Sequence, residues 1–427
     1  MNLALRAAYA TAGLLAEWSA AFASDTGGKT MASLAGRRGV RERFATWAAA
    51  HRDPTRPLVW LHAPSVGEGL QARPVMDLLR QRRPDVQVVY THFSSSAAPL
   101  AARMGADYAD YLPFDTRRSA RAVLGALRPS VLVFSKLDVW PVLVEEAERQ
   151  GVPVALMAAT LAEGSGRRSA MARALLRDAY AALRAVGAID AADGTRLVTL
   201  GVDAARVQVT GDTRYDQVWA RAQGADRQSA LLAPLASPRP TLVAGSTWPA
   251  DEGVLEEAWR LARHAVPAAR LVIAPHEPTP SHLAAIADWA HRDGMRVTLL
   301  STAEGVDADL VLVDRVGVLG DLYAVADVAY VGGAFHTAGL HSVLEPAAFG
   351  TPVLFGPRFN GSRDAALIID AGGGRSVANA QELASALVAW LRDPAARADA
   401  GSRAREMVRT GLGAAERSYT LVTALLP

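Results

Sequence analysis

Short apolar runs separated by amphipathic stretches of helical period recur along nearly the whole chain. In the first half, strands are expected at 56–63, 86–92, 106–112, 130–134, 152–157 and 185–189. A loop at 64–69 is expected to enter a helix to about 81, and further helices are expected from the serines at 94–96, and at 117–127, 140–150, 169–184 and 192–200. The alternation pauses at 227–240, which carries Pro234, Pro238 and Pro240, and then restarts. Strands follow at 241–244, 269–273, 296–300, 310–313, 326–331 and 352–355, with helices at 252–265, 281–293, 319–324 and 338–349. Alternation of this kind predicts mostly parallel sheets with helices on both faces, here two consecutive doubly wound, Rossmann-like halves. The expected division is an N-terminal apolar and basic segment (1–50), a first domain (51–226), a linker (227–240), a second domain (241–394) and a C-terminal helix (395–427) that packs back on the first domain.

Composition narrows the classes. With 427 residues, half of them apolar, the chain is long enough for two cores, and a formal net charge of only +2 gives no reason to expect a nucleic-acid partner. The absence of cysteine excludes disulfides, thiolate metal sites and cysteine nucleophiles. Residues 3–22 are apolar apart from Arg6 and Glu17, and Lys29, Arg37, Arg38, Arg41 and Arg43 follow. An apolar helix followed by cations suits an anionic membrane surface, and a helix packed on the first domain is the competing reading.

Ligands of such sheets bind beyond the C-terminal ends of the strands. Gly332-Gly333 follows one strand and precedes the expected helix 338–349, so backbone N–H groups and a helix N-terminus are placed for a phosphate. Glu345, towards the end of that helix, can accept hydrogen bonds from ribose hydroxyls; the plain alternative is a tight turn and an ordinary helix segment. Gly245-Ser246-Thr247 follows another strand and suits a phosphate in the same way. In the first half the corresponding loop, Ser65-Val66-Gly67-Glu68, offers a carboxylate instead. Glu68 falls in a first helical turn, where a glutamate is also an ordinary dipole partner. Nine histidines form no metal set, since His336 and His341 are five apart across a loop, and no metal is expected. His62 reads as a core histidine, His276 and His341 as site residues, and Trp140 as either a stacking platform or core.

A collinear set of motifs goes further: Leu61-His-Ala-Pro-Ser-Val-Gly-Glu, Tyr111-Leu-Pro-Phe-Asp, Trp140-Pro, Val209-Thr-Gly-Asp, Ala244-Gly-Ser-Thr, Leu322-Tyr-Ala-Val-Ala-Asp, Val331-Gly-Gly, His341, Leu344-Glu-Pro-Ala-Ala and Pro352-Val-Leu-Phe-Gly-Pro. Over nearly its whole length the chain resembles the 3-deoxy-D-manno-octulosonic acid (Kdo) transferases, which move Kdo from CMP-Kdo to lipid A precursors on a glycosyltransferase-B fold, two Rossmann-like domains facing across a cleft. The resemblance implies an inverting, metal-independent and cofactor-free transferase with Glu68 as general base. It places Gly245, Ser246, Thr247, His276, Gly332, Gly333, His341 and Ser342 on the donor, Gly317 and Val318 near cytidine, and Glu345 on the ribose. Ser65, Gly67, Lys136, Asp138 and Trp140 fall on the acceptor side. It also implies work at the cytoplasmic face of the inner membrane, peripheral or anchored by the N-terminus.

The chain departs from the family pattern in places. Where the family reads Pro-Arg-His-Pro, this chain has Pro275-His276-Glu277-Pro278, which exchanges an arginine expected on the CMP phosphate for an imidazole. Glu-Thr-Glu-Leu-Trp-Pro has become Lys136-Leu-Asp-Val-Trp-Pro, Asn-Ala-Arg-Leu-Ser has become Ala158-Ala-Thr-Leu-Ala, and Gly-Gly-His-Asn has become Gly339-Leu-His-Ser. Two rivals therefore stay open: a UDP-sugar transferase or 2-epimerase on the same fold, and a non-catalytic nucleotide-sugar-binding relative.

Overall fold

A computed structural model describes residues 3–24, 28–302 and 307–427, so Met1, Asn2 and 25–27 of the expected N-terminal segment lie outside the described residues. The chain divides into two compact units, one running to Gln217 and including Leu412–Pro427, the other Val218–Gly411.

The first unit holds seven parallel strands: β1 (Leu58–His62), β2 (Gln87–His92), β3 (Tyr108–Tyr111), β4 (Val131–Ser135), β5 (Val154–Ala159), β6 (Ala185–Ala188) and β7 (Val207–Val209). Their order in the sheet is β3-β2-β1-β4-β5-β6-β7. Every residue of β1, β2, β4 and β5 is buried, as a parallel sheet covered on both faces requires. Alternate residues part to two cores. Trp60, Leu132, Phe134 and Leu156 meet Val123, Leu124 and Leu143 on one face. Val59, Leu61, Val133 and Ala155 meet Val75, Met76, Leu79, Leu421 and Val422 on the other.

The second unit repeats the plan with β8 (Thr241–Thr247), β9 (Arg270–Pro275), β10 (Val297–Leu299), β11 (Leu310–Leu312), β12 (Val328–Val331), β13 (Val353–Phe355) and β14 (Gly374–Ser376). Its sheet order is β10-β11-β9-β8-β12-β13-β14, again with parallel pairing.

Four expectations change. The segment 227–240 is not a free link, because Leu232 and Leu235 are buried with Val243 and Val272 in the second unit's core. The last helix is two helices, Pro394–Thr410 and Ala414–Thr423, broken where Gly413 takes φ 88. The helix expected at 338–349 is only Leu344–Ala348, because Gly339 at φ 88 keeps the preceding residues irregular. Between 357 and 392 lie a helix, β14 and a second helix that apolar patterning did not mark.

The N-terminal basic run is largely a packing device. Arg37 is 3% exposed and donates to the carbonyls of Leu112, Ser33 and Phe93. Arg43 pairs with Asp110 at 2.6 Å and Arg41 with Glu17 at 3.1 Å. Arg37 and Arg43 hold the N-terminal helices to the sheet edge and Arg41 ties two of those helices together, so these three are not the lipid-facing charges that the sequence suggested. Helix Leu3–Ser19 instead leaves Leu14, Leu15 and Trp18 exposed, with Phe22 just beyond it. Among the described residues no helix is long and apolar enough to cross a membrane.

Candidate functional site

Two clusters lie at C-terminal strand ends, one in each unit. Of the four non-glycine residues in the left-handed region among the described residues, three lie there, Lys136 (φ 66) just after β4, Ala158 (φ 49) in β5 and Ser246 (φ 53) in β8, while Arg128 (φ 45) ends a helix. Each conformation costs on the order of 1–2 kcal/mol, and such strain gathers where function fixes the backbone.

In the first unit, Ser65 occupies the N-cap of helix Val66–Arg82, and Glu68 is in its first turn. The Ser65 hydroxyl donates to the Glu68 carboxylate, and Lys136 Nζ lies 3.1 Å from Glu68 Oε1. The carboxylate is thereby oriented from two sides. Asp138 Oδ2 accepts from His62 Nε2 at 3.1 Å and from Trp140 Nε1 at 3.0 Å, while Arg167 lies 3.6 Å from its other oxygen. Burial opposes the Asp138 charge, but the His62 hydrogen bond, Trp140 and Arg167 together hold its carboxyl below the ordinary range. His62 is therefore buried, as expected of a core histidine, yet it also orients Asp138. Trp140 stacks on Phe93 with ring centres 5.5 Å apart, and the Arg37 guanidinium lies 3.7 Å over the Phe93 ring. A Cβ on Gly67 would meet only Ser65 Oγ, at an ordinary contact distance of 3.9 Å. The glycine that packing demands here is Gly69, where a Cβ would come within 2.7 Å of Tyr90 Oη and 2.8 Å of Leu100.

In the second unit the predicted phosphate loops are built more tightly than a pair of open turns. A Cβ on Gly245 would sit 2.3 Å from Tyr323 Oη, and one on Gly332 would sit 2.3 Å from Ser246 O. Both glycines thus serve close packing of chain on chain. Gly332 N–H donates to Gly245 O at 2.9 Å and Gly333 N–H to Asp251 Oδ2 at 2.8 Å. These two amides are engaged internally, so the turn shapes the site and does not supply the free donors expected of it. Thr247 likewise donates its hydroxyl to Glu252 at 2.8 Å. Ser246, near the end of β8, is partly exposed.

Asp251 is the centre that sequence reasoning missed. It is fully buried and accepts from the N–H groups of Trp248, Gly333 and Phe335 and from Tyr330 Oη. Next to it, Trp248 lies parallel to His276 at 4.6 Å and to His336 at 4.4 Å, so the indole is sandwiched between two imidazoles. His341 completes the group, 4.7 Å from His276 and accepting from Trp248 Nε1 at 3.2 Å. Burial pushes His341 below its ordinary value and His276 adds to this, against an opposite pull from Asp251. A neutral His341 Nε2 is what accepts the indole proton. The structure therefore brings His276 and His341 together and adds Trp248 and His336.

Glu345 stands in the first turn of Leu344–Ala348, not towards its end. Burial pushes its carboxyl above the ordinary value, while Arg221, paired with Asp321 at 2.7 Å, pulls it back. Gly317 (φ 86) and Val318 lie between β11 and the short helix Leu319–Leu322, with open space at Gly317, and Ser342 is exposed. Among the described residues no group of three or more acidic, histidine or cysteine side chains is arranged to hold a metal ion.

Comparison with known proteins decides the lineage. Residues 38–217 match the sequence model of the family described as 3-Deoxy-D-manno-octulosonic-acid transferase (kdotransferase). The 3-deoxy-D-manno-octulosonic acid transferase of Bordetella pertussis is 30% identical over 399 residues, 88% of this chain and 89% of that one. The chain belongs to the Kdo transferase family. That family is one of glycosyltransferases, and the likeness extends to the Haemophilus influenzae transferase of the same name, 25% identical over 395 residues, 90% of this chain and 91% of the other. In structure the chain is similar to UDP-GlcNAc 2-epimerase from Neisseria meningitidis, with a TM-score of 0.58 over 87% of this chain and 99% of that one. At 14% identity this likeness speaks for the fold alone, the glycosyltransferase-B type with two parallel sheets.

Proposed function

We propose that this member of the Kdo transferase family moves Kdo from CMP-Kdo to a lipid A precursor with inversion at the anomeric carbon. Glu68 takes the proton from the acceptor hydroxyl as its oxygen bonds to that carbon. The bond from the same carbon to the phosphate oxygen breaks, and CMP departs with the electron pair. The observation that carries this reading is Glu68 itself. Ser65 and Lys136 orient its carboxylate beyond β1, inside the segment that the family model matches. In the second unit, Ser246 and His276 are assigned to the CMP phosphate, with Trp248 and His341 fixing the imidazole, Gly317 and Val318 to the cytosine, and Glu345 to the ribose. Lys136, Asp138 and Trp140 are assigned to the acceptor. Work at the cytoplasmic face of the inner membrane is supported by the apolar side of the N-terminal helix, which would lie in the lipid interface.

The donor is tested by thermal unfolding with CMP, UDP and GDP. A nucleotide at 100 times its Kd stabilises the unit that binds it by about 2.7 kcal/mol, a rise of about 5–10 °C for a unit of this size. CMP alone is expected to produce the rise. A rise with UDP alone would show that His276 marks a changed donor.

A further inference from the structure

An open cavity of about 430 Å3 runs along the N-terminal helix in the first unit. Ala7, Ala10 and Leu14 form its helix wall, and Val142 with the Thr116–Arg118 turn forms the opposite one. The size falls within the range of about 300–1,000 Å3 usual for small-molecule sites. Most of the polar side chains around it are already engaged with one another. Tyr9 donates to Asp115 at 2.8 Å, Asp115 also accepts from the N–H groups of Val142 and Leu143, and Thr116 donates to Glu17 at 3.2 Å. Arg6 and Arg117 share Glu145 at 2.9 and 3.4 Å. A polar ligand would find few free partners inside, whereas an apolar one would cover Ala7, Ala10, Leu14 and Val142.

Two further features choose among apolar ligands. Leu14 lines the cavity and is also 60% exposed, on the same helix as exposed Leu15 and Trp18 and close in sequence to Phe22. The cavity is therefore continuous with the apolar face, and a hydrocarbon chain can pass from a lipid surface into it without crossing water. Arg118 is exposed where it lines the cavity, a cation placed for an anionic lipid headgroup. The cavity is also near the acid. Lys136, which contacts Glu68, and Val142 are six residues apart, a span of at most about 20 Å.

We infer that this cavity binds one acyl chain of the acceptor lipid while the sugar headgroup of the same molecule is presented to Glu68. The inference rests on the reading above that the acceptor is an acylated glycolipid. It is tested with Ala10→Trp, which fills the cavity from an exposed helix position. Transfer from CMP-Kdo is measured to the acylated lipid A precursor in detergent micelles and to its fully deacylated, water-soluble backbone. The expected result is that the ratio of kcat/KM for the acylated over the deacylated acceptor falls at least about tenfold from wild type, roughly the loss of two buried methylenes. An added tryptophan that merely strengthened attachment to micelles would move the ratio the other way, and this would overturn the inference. So would an unchanged ratio. Wild-type transfer to neither acceptor would defeat the acceptor reading, and the acyl site with it.

Discussion

Alanine at Gly332 tests whether the contact between the β8 and β12 ends shapes the donor site. The new Cβ would lie 2.3 Å from Ser246 O and 2.7 Å from Thr247 Cα, both backbone atoms that no rotamer change can move. Carbon and oxygen settle at about 3.3–3.6 Å, so the two segments must part by about 1 Å. That separation stretches the 2.9 Å hydrogen bond from Gly332 N–H to Gly245 O. Overpacking costs about 1–3 kcal/mol in stability. The larger effect is expected on the site, since a misplacement of about 1 Å costs on the order of 10²-fold where groups must be positioned. The assay is CMP affinity by calorimetry beside urea denaturation. Gly253→Ala is the control, because that helical glycine has nothing within 4 Å of its would-be Cβ and alanine there should stabilise by about 0.5–1 kcal/mol. Gly332→Ala that bound CMP as tightly as wild type would refute the reasoning that this contact sets the donor site.

Three further outcomes are expected. Burial lifts the Asp115 carboxyl to about 6, so the native state keeps a proton that the unfolded chain has lost. Its contribution to stability is complete below the ordinary carboxylate value and falls by about 3 kcal/mol as pH rises through 6; in urea denaturation at either side of that window, Asp115→Asn should remove this part of the slope. Trp248→Ala removes a stack worth about 1 kcal/mol and frees His276, so CMP should bind roughly fivefold more weakly, measured by calorimetry, with the fold retained. His276→Arg should instead tighten CMP, because a guanidinium keeps its charge and can grip a phosphate with two N–H groups; unchanged affinity in the same titration would remove His276 from the phosphate.

The legible parts of this chain are those fixed by local pattern. The helix Arg117–Leu127 has the expected ends, because Thr116 caps it and its apolar residues recur at helical spacing. The central strands of both sheets stand out because burial on two faces makes them continuously apolar, and the short, mostly exposed β7 is missing from the pattern. β14 does not, since Gly-Arg-Ser carries no such signal. The site was legible only as a set of loops. Glu68 and Lys136 are 68 residues apart, and the change from an acid to Lys136 showed in the sequence while the ion pair it creates did not. Asp251 precedes the helix expected at 252–265 and carries no signal of its own there, and only its bonds to Tyr330, Gly333 and Phe335, 79 to 84 positions away, make it a buried hub. The same distance hid the part of Arg37, whose charge suggested a lipid surface until Leu112 and Phe93 were seen to take its hydrogen bonds.

Transfer by the wild-type protein and by Glu68→Gln, with CMP-Kdo and an acylated lipid A precursor, tests the central claim most directly. Wild type is expected to place Kdo on the lipid, and Glu68→Gln to lose about 10²–10⁴-fold in rate while CMP affinity stays the same. A glutamine variant that transfers Kdo at the wild-type rate would contradict the assignment of Glu68, and wild type that leaves the lipid unmodified would contradict the proposed reaction.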